Sequence, residues 1–152
     1  MRILVQRVRN ASVSVDGTVV GSINAGLLAF VGITHSDTEA TVHWMTEKLL
    51  TLRILSDAEG RMNLSLLDVG GGLLIVSQFT LYGDLAKGTR PSFVRASHPD
   101  HALPLYQKLL DELSETIALK GASVTLSAGI FGAMMDVSIV NHGPVTILLE
   151  RT

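Results

Sequence analysis

Residues 2–8 read as a strand, with Ile3 and Val5, and Arg7 next in that row, on one face and Leu4, Gln6 and Val8 on the other. Ser12-Val13-Ser14-Val15 alternates again, and Asp16-Gly17 is a two-residue hairpin signal leading into a strand over residues 18–23. Residues 26–33 are apolar on both faces, the pattern of an interior strand. Ser36-Asp37-Thr38-Glu39 predicts a capped helix start. Val42, Met45, Leu49 and Leu52 then recur at helical spacing, up to an end near Ile54. Trp44 lies off that stripe and reads as packing. Gly70-Gly71-Gly72 breaks the chain before residues 73–81, a second strand apolar on both faces. A second helix begins between Pro99 and Pro104 and carries the stripe Leu103, Tyr106, Leu110, Leu113 and Ile117. Strands are predicted over residues 124–126, 135–140 and 145–149. With no repeat, low-complexity segment or linker in view, the order predicts a mixed α+β layered fold, a single domain over residues 1–152.

Composition narrows the setting. Apolar residues make up 47% of the 152 and charged residues 17%, ample for one core. No apolar run approaches the roughly 20 residues that span a bilayer. Residues 1–7 lack the apolar stretch and cleavage site of a secretory signal, so a cytoplasmic protein away from membranes is expected. The absence of cysteine removes disulfides and thiolate metal sites. A net charge of −2 offers no bulk attraction for nucleic acid, so any basic patch must be local. Mean hydropathy is +0.38, which fits either a well-packed core or apolar surface committed to a subunit interface.

Standard catalytic templates are absent: no G-x-S-x-G, no Walker A loop and no H-E-x-x-H. His98-Pro99-Asp100-His101 has metal-ligand residue types, but a solvated helix N-terminus explains it with fewer assumptions, and no metal is expected. His35 and His43 read as surface residues. Between Tyr82 and Ser97 a long loop holds Lys87, Arg90 and Arg95, either a phosphate-contacting cluster or a solvated rim. Two segments are unusual. Ser77-Gln78-Phe79-Thr80-Leu81 places polar groups in an apolar strand, where each needs a hydrogen-bond partner unless the chain is leaving the sheet there. Asn141-His142-Gly143-Pro144-Val145-Thr146 lies between two apolar strands and locally reads as a turn.

Together these two segments resemble the paired signatures of the D-aminoacyl-tRNA deacylase family, S-Q-F-T-L and N-x-G-P-V-T, both intact here. Gln6-Arg7-Val8, the stretch from Ser56 to Leu64, Lys87-Gly88-Thr89-Arg90-Pro91-Ser92-Phe93 and Phe131-Gly132-Ala133-Met134 are similar to the family too, so the likeness covers essentially the whole chain. Ala128 stands where many members carry Thr, and His142 where Asp is common.

The resemblance implies a β-rich layered fold with two main helices on one face, and a homodimer with its active site at the interface. It implies no cofactor and an aminoacyl-tRNA partner. Ser77, Gln78, Phe79 and Thr80 would form the catalytic floor. Gly143 and Pro144 of the other subunit, joined by a cis peptide, would reject L-amino acids. Asn141, Val145, Thr146, Phe131 and Met134 would complete the substrate pocket, with Lys87, Arg90 and Arg95 toward the tRNA. The activity implied is hydrolysis of D-aminoacyl-tRNA and of glycine mischarged on tRNA for alanine. In that reading, backbone N–H groups near Phe79 and Thr80 serve the oxyanion, and the ribose 2′-hydroxyl assists water. Thr80 as a covalent nucleophile is the rival mechanism. A noncatalytic nucleotide- or RNA-binding module on the same fold is the alternative function.

Overall fold

A computed structural model describes residues 1–152. The first strand runs unbroken over Arg2–Val15 (β1), where the alternation predicts two segments. Ile3 and Val5 face one core, whereas Val8, Ala11 and Val13 face another. The pairing irregularity between Val8 and Asn10 turns the alternation over, as a bulge does. The hairpin forms as predicted: Asp16 and Gly17 have φ of 49° and 77°, the primed turn that joins β1 to β2, Thr18–Ile23.

β3, Gly26–Gly32, lies antiparallel to β1 and parallel to β6, Gly71–Ser77, which is in turn parallel to β7, Val124–Ala128. Parallel neighbours need crossovers, and these carry the helices. α1, Glu39–Thr51, lies between β3 and β6, after which come a small hairpin of β4, Leu55–Ser56, and β5, Met62–Leu64, and the short α2, Leu66–Val69. α3, Pro99–Leu119, lies between β6 and β7. Because β3, β6 and β7 step across the sheet in one direction, right-handed crossovers place both long helices on the same face. The core beneath them holds Ile3, Val5, Leu27, Ile75, Met45, Leu49, Leu109 and Leu113. On the other face the sheet curls until β7 reaches β2, with Ser22 N donating to Ser127 Oγ at 3.1 Å, around Val8, Val13, Leu28, Leu74 and Val76. This is the predicted mixed α+β class, a nearly closed sheet with its helices on one side.

Several local readings change. The box that starts α1 uses Thr38 and Thr41, because Asp37 is buried against the Met1 ammonium. α1 ends at Thr51, short of Ile54. Along α3 the buried row is Ala102, Leu105, Tyr106, Leu109, Leu113 and Ile117; Leu103 is 47% exposed and Leu110 only half-buried. The strand predicted to reach Leu81 stops at Ser77, and Phe79–Tyr82 forms a 3-10 turn, so the polar groups there mark the chain leaving the sheet.

The largest change concerns Asn141 to Thr146. No reversal occurs: β8 runs continuously over Asp136–Glu150, antiparallel to β1 throughout. Thr146 pairs with Gln6 and Asn141 with Val8, so four residues of β8 stand opposite the single residue Arg7. The segment with Gly143 and Pro144 is an excursion from a strand whose two flanks share one partner. β8 pairs with β1 alone, which leaves its outer edge unpaired.

Candidate active site

A cavity of about 750 Å³ opens where β6 ends. Its walls are Ser77 to Thr80, Phe93 with Ala96 to Pro99 where the chain enters α3, and the turn from Phe131 to Met135. The four expected catalytic positions therefore share one cavity with Phe131 and Met134.

The strand end explains the wall. Gln78 N donates to Val31 O at 2.7 Å, the last bond of that ladder, and the chain then tightens, with Leu81 N donating to Gln78 O at 3.2 Å. Opening residues of such a turn have no preceding carbonyl to meet. Phe79 N and Thr80 N accordingly have no acceptor in the chain, and both belong to residues of the cavity wall. Side chains brace the turn: the Gln78 amide donates to the Thr80 hydroxyl, and Phe79, 57% exposed, meets Phe93 edge-on at 5.1 Å. Ser77 Oγ accepts from Gly132 N at 3.4 Å, tying the far wall to the strand end. Phe131 packs against Tyr106 at 5.3 Å, while Met134 is 90% exposed at the rim.

Asn141, Gly143, Pro144, Val145 and Thr146 line no part of this cavity in the same chain. The Gly143–Pro144 peptide is cis. Val145 is 5% exposed within the helix-side core, and Thr146 Oγ1 accepts from Gln6 Nε2 at 3.3 Å. Arg7 holds the excursion from behind, donating through Nε to His142 O at 3.1 Å and through Nη1 to Ile54 O at 2.8 Å. Desolvation, then the charges of Arg9 and Arg7, lower the pKa of the His142 imidazole from its ordinary value. The sequence alone marks Arg7 only as a cation in the row of Ile3 and Val5.

Lys87 and Arg90 are exposed on a loop closed by Asp84 and Ser92, whose backbones exchange bonds of 2.8 and 2.9 Å, next to Phe93 of the cavity. Arg95 lies elsewhere, its guanidinium 5.8 Å from the Tyr82 ring centroid. Burial pushes the Tyr82 phenol up to about 12. His98 caps α3, its Nδ1 accepting from Asp100 N at 3.4 Å. No three His, Asp or Glu side chains gather closely enough to hold a metal ion, and no helix is long and apolar enough to cross a membrane.

Residues 4–150 match the family described as D-Tyr-tRNA(Tyr) deacylase. The chain is 51% identical to a D-aminoacyl-tRNA deacylase of Thermus aquaticus, over all of this chain and 96% of that protein. It is 53% identical to one of Thermomicrobium roseum, over 99% and 94% of the two chains. A solved structure named c-Myc DNA Unwinding Element Binding Protein superposes with a TM-score of 0.90 at 37% identity, covering 100% of this chain and 99% of that one. A probable eukaryotic D-amino acid tRNA deacylase, 18% identical with a TM-score of 0.81 over 97% of each chain, shares the fold. With both signature segments intact and the match running from end to end, the chain belongs to the D-Tyr-tRNA(Tyr) deacylase family and is an enzyme.

Proposed function

We propose that this enzyme hydrolyses the ester joining a D-amino acid, or glycine mischarged on tRNA for alanine, to the terminal ribose of tRNA. The observation that carries the reading is the pair of unengaged N–H groups at Phe79 and Thr80, on the wall of a cavity with room for an aminoacyl nucleoside. An aminoacyl ester is already activated. Hydrolysis needs the carbonyl held, a water placed and the oxyanion met by fixed donors. Water adds to the carbonyl carbon and gives up a proton toward the vicinal 2′-hydroxyl. The carbon–oxygen bond to the 3′-oxygen then breaks, and the 2′-hydroxyl, having taken the water's proton, passes its own to that oxygen as it leaves. The products are the free amino acid and tRNA.

Rejection of L-amino acids is assigned to Gly143 and Pro144 of a second copy. Main-chain atoms there would occupy the space of an L side chain whatever its identity, and glycine would pass. Support for two copies comes from three features. The excursion lines no part of its own chain's cavity, β8 offers an unpaired edge, and Ile139, Val140 and Leu148 of that strand are exposed. Lys87 and Arg90 are assigned to tRNA phosphates.

The alternative, a nucleic-acid-binding module without catalysis, has in its support only the name of the 37% identical structure, given for binding a DNA element, and runs against the family match. Purified protein incubated with D-Tyr-tRNA separates the two. Release of D-Tyr at catalytic turnover supports the deacylase, and retention of the RNA with its ester intact supports the binding module.

A further inference from the structure

The 3-10 turn Phe79–Tyr82 is held at its start by Gln78 N on Val31 O, and at its far end Gly83 N reaches only as far as Thr80 O, at 2.9 Å, which leaves the Leu81 carbonyl without a backbone donor. The donor next in line for Leu81 O is Asp84 N, which bonds Ser92 O at 2.8 Å instead. Arg2 Nη1 takes that place, donating to Leu81 O at 3.0 Å. The same guanidinium lies 4.7 Å from the ring centroid of Tyr82, the turn's last residue, and its Nε is fixed by Glu150 Oε1 at 2.8 Å. The route is short because Arg2 pairs with Gly32, where a Cβ would come within 3.0 Å of Gln78 O and 3.2 Å of Leu81 Cβ. Without a side chain at Gly32, the turn sits flat against β3, within reach of the neighbouring strand.

We propose that Arg2 is a positioning residue for the reaction, setting the direction of the Phe79 and Thr80 N–H groups by clamping the carbonyl end of their turn, with Glu150 holding Arg2 in place. This rests on the reading that those N–H groups meet the oxyanion. Arg2 itself lines no part of the cavity. An oxyanion donor works only when aimed at the transition state, and a displacement of about 1 Å can cost on the order of a hundredfold in rate. The guanidinium fork serves two oxygens at once, which a single ammonium cannot do in that geometry.

The test is steady-state hydrolysis of D-Tyr-tRNA by wild type, Arg2→Lys, Arg2→Met and Glu150→Gln, with melting temperature and molecular mass measured for each. The expected result is kcat falling about 10- to 100-fold in Arg2→Met and less in Arg2→Lys and Glu150→Gln, with KM within about twofold of wild type. A kcat for Arg2→Met within about twofold of wild type overturns the proposal. A loss confined to KM, or one that follows the fraction unfolded, overturns it too, since either marks a binding or purely structural role. If wild type itself releases no D-Tyr, the deacylase reading fails instead. The clamp is then judged by the backbone amide resonances of Phe79 and Thr80, which must shift in Arg2→Met for it to stand.

Discussion

Thr80 carries two groups that could act, a hydroxyl and a backbone N–H, and their surroundings differ. The hydroxyl accepts from the Gln78 amide and has no basic hydrogen-bond partner, whereas the N–H, at the start of the turn, has no acceptor. Thr80→Ala is therefore expected to keep substantial deacylase activity, while a substrate ending in 2′-deoxyadenosine is cleaved far more slowly. A dead Thr80→Ala together with a trapped acyl-enzyme in wild type would reverse that assignment. Gly143 offers a cleaner separation of fold from function. A Cβ at Gly143 would meet only the tip of the Asn141 side chain, at 3.3 Å, within its own chain. Gly143→Ala should thus melt within a few degrees of wild type yet lose most hydrolysis of D-Tyr-tRNA, because the crowding falls in the partner's cavity. Equal activity in a folded Gly143→Ala would place the segment away from the site.

Among the elements, the parallel pair β3 and β6 is the most constrained. Gly26 faces Gly72 in register, and a Cβ on Gly26 would lie 2.0 Å from Gly72 O. That neighbour is backbone inside a ladder and cannot turn aside, so Gly26→Ala is expected to cost more than about 4 kcal/mol. Thermal scanning should find no cooperative transition near that of wild type, and a normal transition would show that the ladder can slide. β3 and β6 matter to the site because they carry its wall: Val31 O ends the ladder, and Ser77 and Gln78 leave it. The other long pair, β1 with β8, serves differently. Its irregular register gives β8 four residues against Arg7, and that buried residue, 8% exposed, supplies guanidinium donors where the ladder lapses. The excursion is thereby a fixed feature of the strand, anchored at His142 O.

Over the whole molecule, the two signature segments are both well built and do not meet within one chain. A complete site on the proposed reading needs two copies, and their contact should bury more than about 1,000 Å², the range of specific interfaces. Light scattering at assay concentration is expected to give a dimer mass, and an active monomer would sink the shared site. A sharper check mixes Gly143→Ala chains with Phe79→Pro chains, which lack that backbone N–H. Mixed dimers would contain one site free of both changes and regain part of the activity that each variant lacks alone.

Much of this protein is legible in its chain alone. Alternation, the Asp16-Gly17 turn and two apolar helical rows follow from neighbours a few residues apart, and the fold class follows from their order. The polar end of β6 is visible as an anomaly, and so are the paired motifs that carry the family resemblance. Tertiary structure decides the rest, because it depends on residues far apart in sequence. Asn-x-Gly-Pro is a turn by local rules, and only the pairing of both flanks with β1, across more than a hundred residues, makes it an excursion from one strand. Likewise Arg2, Gly32 and Leu81 carry no mutual signal in sequence; they meet because β1 and β3 are paired in one register and β6 ends beside them. Local periodicity sets which face of an element is buried, whereas register between distant strands sets which side chains share a site.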